Sequence, residues 1–384
     1  METKEKLDKK DNIGARRKQN EAAKTRFNLA IVVLVSLGLI FAAMNWDKLI
    51  APFKDAALDV GRGGFPVALP GSTGYVLDEF GENFCLLTDT YLYTYTSQGA
   101  NIASVQHGFQ NPVCSTNNKR IMVYDRNGKG VKCYSRTEEL FSVSTEERIV
   151  FGAMGNDERC AVVTNSSRYA NCLFVYNGDS DMIFRYYSPT KKIMQLCFSG
   201  NDKCLYMTLL GEKGGELLLS AARINIDTST TDLLWETEIG TDVTYSLECT
   251  NAGIYIVTSG GSFLLDEESG EIEKQGYFTK EISGIPACDG IRAVVFRDSG
   301  SNGDVVVCYN ADLEAVNSVT PDTLTAFDSE KGKLYLLCSN ELLVYDSTLE
   351  LVRTYTLDDV YSDVKIIDGG AFLLGYNTVQ RIEL

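Results

Sequence analysis

The residues able to do chemistry are few and scattered. A single histidine, His107, stands among 384 residues, so a metal centre or proton relay built on two imidazoles is excluded. Alone at the end of an apolar run, it is expected to be structural or solvent-facing. Ser188, Pro189, Thr190 and Lys191 spell S-x-x-K, the spacing that sets a serine nucleophile beside a lysine. The proline inside it and the lack of companion motifs make it a turn instead. No H-E-x-x-H helix and no nucleophile elbow occur. The stretch from Asp298 to Asp304, DSGSNGD, has the outline of a calcium loop, but its third position is Gly300, which brings no carboxylate. It is expected to be a polar hairpin tip, at most holding a divalent cation weakly through Asp298, Asn302 and Asp304.

Eleven cysteines remain, an odd number with no C-x-x-C among them, so neither a zinc site nor a dithiol motif is expected. Most sit inside apolar runs, where cysteine behaves as a small hydrophobe. Cys114, Cys197, Cys249 and Cys288 fall in the first run of their repeats, and buried free thiols are the expectation. Outside a membrane, such thiols would persist only in an anaerobe. No residue is therefore assigned a catalytic, cofactor-binding or metal-binding role, and no cofactor is expected.

The charge is divided along the chain. Residues 1–26 hold nine basic and five acidic side chains, a balance of +4, and the whole chain carries -16, so the remainder sums to -20. Between the two halves, Phe27 to Trp46 contains no charged residue. Twenty such residues span ~30 Å as a helix, the thickness of a bilayer's hydrocarbon core. The basic cluster before this run and Trp46 at its end predict one transmembrane helix with a cytoplasmic N-terminus. The expected organisation is a basic cytoplasmic tail (1–26), a helix (27–46), a juxtamembrane linker (47–64) and an extracytoplasmic body (65–384). The acidic body disfavours nucleic acid and favours partners with a basic surface.

The elements of that body recur. ELLVYDSTLELVRTYTL, Glu341 to Leu357, is an apolar run, a polar turn led by Asp, and a more polar alternating run. Its form returns from Tyr91, Gly130, Cys172, Ala221, Gly261 and Val305, a spacing of roughly 40 residues. Each hairpin follows two further runs, as in Thr323 to Asn340. Four strands per repeat, with the middle two apolar on both faces and the last alternating, require sheets stacked face to face around an axis. The fold expected is an all-β propeller of eight blades, with seven as the alternative. Blades begin near residues 73, 109, 149, 191, 242, 284, 321 and 359. The last piece has room for three strands, and Gly64 to Gly71 is available to close the ring as its fourth.

The repeated phrase resembles the quinoprotein-like and outer-membrane-assembly-lipoprotein-like eight-bladed propellers over residues 65–384. The whole layout, a basic tail, one helix, GRGGFPVALPG and a propeller, is similar to a family of unknown function in anaerobic Gram-positive bacteria. Quinoprotein blades carry a Trp after the turn in most repeats, whereas only Trp235 occupies that place here. The resemblance implies a cell-envelope binding scaffold or sensor for a protein or ligand rather than an enzyme. The alternative is an envelope glycan hydrolase or lyase that uses carboxylates in the central funnel.

Overall fold

A computed structural model describes residues 34–36, 63–71, 74–286, 290–298 and 303–384. The chain divides into two units, Met1–Gly61 and Arg62–Leu384. Of the first, only residues 34–36 are described, and they are helical. The rest of the predicted anchor, Phe27 to Trp46, lies outside the described residues. Among the described residues no helix is long and apolar enough to cross a membrane.

The second unit consists of eight four-stranded antiparallel sheets. Seven are built from consecutive strands, starting with the inner strands Val76–Phe80, Pro112–Thr116, Ile149–Met154, Lys192–Phe198, Thr244–Thr250, Ile282–Gly284 and Leu324–Glu330. The eighth takes Asp363–Ile367, Gly370–Leu374 and Thr378–Glu383 from the end of the chain and Val67–Ala68 from the start of the unit. Val67 pairs with Val379 and Ala68 with Thr378, and the Leu69 N–H reaches the Asn377 carbonyl at 2.8 Å. The ring closes as expected, and the seven-blade alternative falls. One boundary moves: Ile282 and Ser283 belong to blade six rather than to the end of blade five, because Ile282 pairs with Phe296.

Burial explains the strand types. The second strand of blade three, Cys160–Thr164, and the third of blade five, Gly261–Leu265, are buried at every position. Outer strands such as Leu233–Gly240 alternate. Successive residues of a buried strand point to opposite faces, and here each face meets a different neighbouring blade. Leu205 and Met207 pack with blade three, while Tyr206 between them packs with blade five. Eight apolar clusters result, one at each seam, including Val67, Phe84 and Phe372 where the last blade meets the first.

The Asp/Asn-led turn in the repeated phrase has a physical reason. The Asn310 side-chain oxygen accepts the N–H groups of Asp312 and Glu314 at 2.9 and 3.0 Å. Asp346 does the same for Thr348 and Glu350 at 2.8 and 3.0 Å. One short side chain thus satisfies the turn's orphan donors. Leu313 and Leu349 follow with φ of 62° and 58°. That left-handed conformation is costly for leucine, and burial of both side chains in the seams offsets it.

Candidate functional site

The inner strands line the central channel and place one comparable residue per blade, fixed by its pairing with the second strand. Asp78 lies opposite Cys85, Cys114 opposite Val123, Cys197 opposite Tyr206 and Glu248 opposite Tyr255. Asp328 lies opposite Tyr335 and Lys365 opposite Phe372. Charge is therefore gathered on the arc from blade seven through blade eight to blade one, with Glu248 apart from it on blade five. Thiols occupy blades two and four.

Lys365 is the hub of the charged arc. Its Nζ is 3.8 Å from Asp78 Oδ1. Asp78 Oδ2 accepts the Thr116 hydroxyl at 3.3 Å and the Cys114 thiol at 3.9 Å. Asp328 Oδ2 accepts the Ile366 N–H at 2.7 Å. Three blades are thereby joined to blade eight or to blade one by polar contacts.

Electrostatics follow from this crowding. Burial alone would lower the Lys365 ammonium, but Asp328, Asp78, Glu79 and Asp363 together outweigh it and hold it above the ordinary lysine range. Burial raises the carboxyls of Asp328 and Asp363, against the pull of Lys365. Glu79 retains solvent contact inside the mouth, yet desolvation by the surrounding protein, with carboxylates at Asp328, Asp78 and Glu330, pushes it up to about 7. Burial, with Asp78 beside it, raises the Cys114 thiol to about 12, so it remains a donor.

At the end of the channel where the inner strands turn to the second strands, a cavity of about 360 Å³ is lined by Glu79, Asp328, Glu330, Asp368, Lys331 and Lys365. Four carboxylates face two ammonium groups, and one of these, Lys331, is paired with Glu330 at 3.0 Å. Such a mouth attracts cations. A second concavity of about 450 Å³ on the same side is lined by Met154, Cys197, Glu248 and Cys249. A third, about 600 Å³, opens at the seam of blades two and three beside Tyr169 and Tyr187, whose rings stack at 4.9 Å.

The residues singled out in the sequence take defined places. His107 is buried, with Nε2 3.1 Å from the Thr88 carbonyl and Nδ1 accepting the Phe109 N–H at 3.0 Å, so it ties down a loop. Lys191 does not face Ser188 as a base: its Nζ pairs with Glu236 and donates to the Ser220 hydroxyl at 3.2 Å. Asp298 pairs with Gly303 at a hairpin end, and Asn302 lies outside the described residues. Cys114, Cys197 and Cys249 do lie in inner strands, and all three are partly exposed free thiols. Cys288 lies outside the described residues. Trp235 donates from Nε1 to the Glu267 carbonyl at 3.1 Å, and its ring leaves no room for a Cβ at Gly270. It locks blade four to the turn of blade five.

The charged arc escaped the sequence reading. Acidic residues are common in the polar turns of the repeats, and against that background those on inner strands do not stand out. A signal was present all the same: Lys365 and Asp328 stand at matching places in the first runs of successive repeats.

Comparison with known proteins places the chain among propellers. Residues 70–384 match a family described as "Family of unknown function (DUF5711)". No curated protein matches the chain. Among solved structures it is similar to Sqt1 of Saccharomyces cerevisiae, with 10% identity, a TM-score of 0.59, and coverage of 84% of this chain and 98% of that one. It is similar to the C-terminal WD40 domain of Sif2 at 12% identity and a TM-score of 0.60, covering 84% and 99%. BamB from Moraxella catarrhalis shares 9% identity with a TM-score of 0.53, covering 82% and 99%. Likeness at these identities establishes the fold alone.

Proposed function

This chain belongs to the DUF5711 family of unknown function, and from that premise we propose that it is a single-pass membrane protein presenting its propeller outside the cell as a binding scaffold or sensor. The charge-free run Phe27 to Trp46, behind a tail with nine basic residues, supports the anchor and its orientation. The observation that carries the binding role is the channel mouth, where four carboxylates and two lysines line one open cavity. Asp78 and Asp328 are already engaged in holding the blades, so the cluster serves as a fixed acidic receptor. Its partner is an envelope protein that inserts a basic side chain or segment.

Protease applied to intact cells tests the orientation. Epitopes beyond residue 65 should be digested and a tag at residue 1 spared; the reverse pattern would move the propeller, and its partners, to the cytoplasm.

One observation favours a second reading, a glycan hydrolase or lyase. A carboxyl raised to about 7, as at Glu79, matches the requirement for a proton donor near neutral pH. Release of reducing ends from wall glycan by the purified chain, lost in Glu79→Gln, would establish that reading over the scaffold.

A further inference from the structure

The 600 Å³ cavity at the seam of blades two and three differs from the acidic mouth in what lines it. One wall is blade three, with Phe174 and Tyr176 on its third strand, Asn171–Tyr176, and Met182, Arg185 and Tyr187 on its outer strand, Met182–Ser188. The other is the end of blade two, residues 143–147. Met182 and Tyr187 both line the cavity from one strand, so it extends for ~17 Å at ~3.4 Å per residue. A groove of that length suits a short linear chain.

Both walls are held in place. The Tyr187 ring stacks on Tyr169 at 4.9 Å, and the Arg185 guanidinium lies 5.8 Å from its centroid. Ser166 Oγ accepts the N–H groups of Arg168 and Tyr169, each at 3.1 Å, which fixes the turn that carries Tyr169. Across the groove, the Thr145 hydroxyl donates to the Glu147 carbonyl at 2.7 Å. A ligand therefore meets a surface already arranged, which lowers the cost of binding.

The charged groups on the lining are Glu146, Glu147 and Arg185, and none of them is in an ion pair among the described residues. A basic ligand would meet the guanidinium and an acidic one the carboxylates, so neither sign of charge is selected. A neutral ligand with both donors and acceptors suits all three, because adjacent hydroxyls donate to a carboxylate and accept from a guanidinium. Sugar rings supply such hydroxyls, and their C–H faces stack on an exposed ring such as Tyr187.

We propose that this groove binds a linear neutral oligosaccharide, with Tyr169 and Tyr187 stacking on its rings and Glu146, Glu147 and Arg185 bonding its hydroxyls. Binding makes and breaks no covalent bond. The groove lies apart from the acidic mouth, so this assignment does not rest on the scaffold reading.

The test is calorimetric titration of the full chain, in a sugar-free detergent, with cellotetraose, tetra-N-acetylchitotetraose and maltotetraose. At least one should bind at one site per chain, with an affinity that does not change between low and physiological salt. Tyr169→Ala, Tyr187→Ala and Arg185→Met should each weaken it by ~10-fold or more. Tyr187→Phe keeps the stacking ring and should stay within ~3-fold of the wild type, and Tyr91→Ala, an exposed ring on blade one, should change nothing. Melting temperature shows that each variant is folded. Absence of binding by all three sugars, full affinity in both tyrosine-to-alanine variants, or pentalysine binding that Tyr187→Ala abolishes and salt weakens would overturn the assignment.

Discussion

Lys365 Nζ on the last inner strand lies 3.8 Å from Asp78 Oδ1 on the first, so charge ties together the two blades that the chain reaches last and first. The closing strand joins the same seam from outside, through Val67 and Val379. Closure is thus made twice, by an ion pair at the channel and by backbone pairing at the rim.

Replacing Lys365 with methionine removes the counter-charge from Asp78, Asp328 and Asp363. The expected cost is about 2 kcal/mol, less than the ~3–5 for breaking a fully buried pair, since the Lys365 side chain keeps 31% of its exposure. Urea unfolding of the variant checks this. Adding Asp78→Asn should recover part of the loss, and a double variant as weak as the sum of both changes would show that the pair is not coupled.

Deleting residues 63–71 removes the outer strand of blade eight and bares the edge of Thr378–Glu383. Burial of Val67 alone is worth ~1.5–3 kcal/mol, and Phe65 and Leu69 pack on the same cluster. The deletion should therefore lower the melting temperature and promote association at the open edge. Calorimetry and light scattering report both; equal melting of the two forms would mean that the ring does not depend on this strand.

The acidic cluster predicts a pH dependence with a definite sign. Glu79 is raised to about 7 from an ordinary 4.5, so the folded state holds the extra proton. Its contribution is full below pH 4.5 and is lost as pH rises through 7. Asp328 and Asp363 are raised as well and act in the same direction. Melting temperature should accordingly fall between pH 5 and pH 8, and Glu79→Gln should flatten that fall. A steeper fall in the variant would contradict the sign.

At the turn of blade six, Asn310→Ala removes the acceptor for the Asp312 and Glu314 amides. The loss of two hydrogen bonds, partly replaced by water, should cost about 1–2 kcal/mol in denaturant unfolding. Asn310→Asp keeps the acceptor and should cost less.

The blades were legible in the sequence because strand period and turn chemistry are local. Asn310 and Asp346 announce their turns, and runs such as Gly370–Leu374 can only be buried on both sides. The placement of Cys114, Cys197 and Cys249 on inner strands was legible for the same reason. Which inner-strand side chains meet was not. Lys365 and Asp78 lie far apart in the sequence, on the last and first inner strands, and their contact exists only once the ring has closed. The neighbouring thiols Cys197 and Cys249 come from different blades, so no spacing rule links them. Leu313 and Leu349 also ran against expectation, since local preference would put glycine or asparagine at those φ values and seam packing overrides it.

The central claim is that the acidic channel mouth receives a basic partner. It is tested most directly by capture from detergent-solubilised membranes at several salt concentrations, comparing the wild-type chain with two triple variants. One carries Glu79→Gln, Glu330→Gln and Asp368→Asn at the mouth; the other carries Glu139→Gln, Glu238→Gln and Glu273→Gln on outer strands. The account predicts one partner, held less as salt rises, lost from the mouth variant and retained by the outer-strand variant. Capture of the same partner by the mouth variant, with unchanged salt dependence, would contradict it.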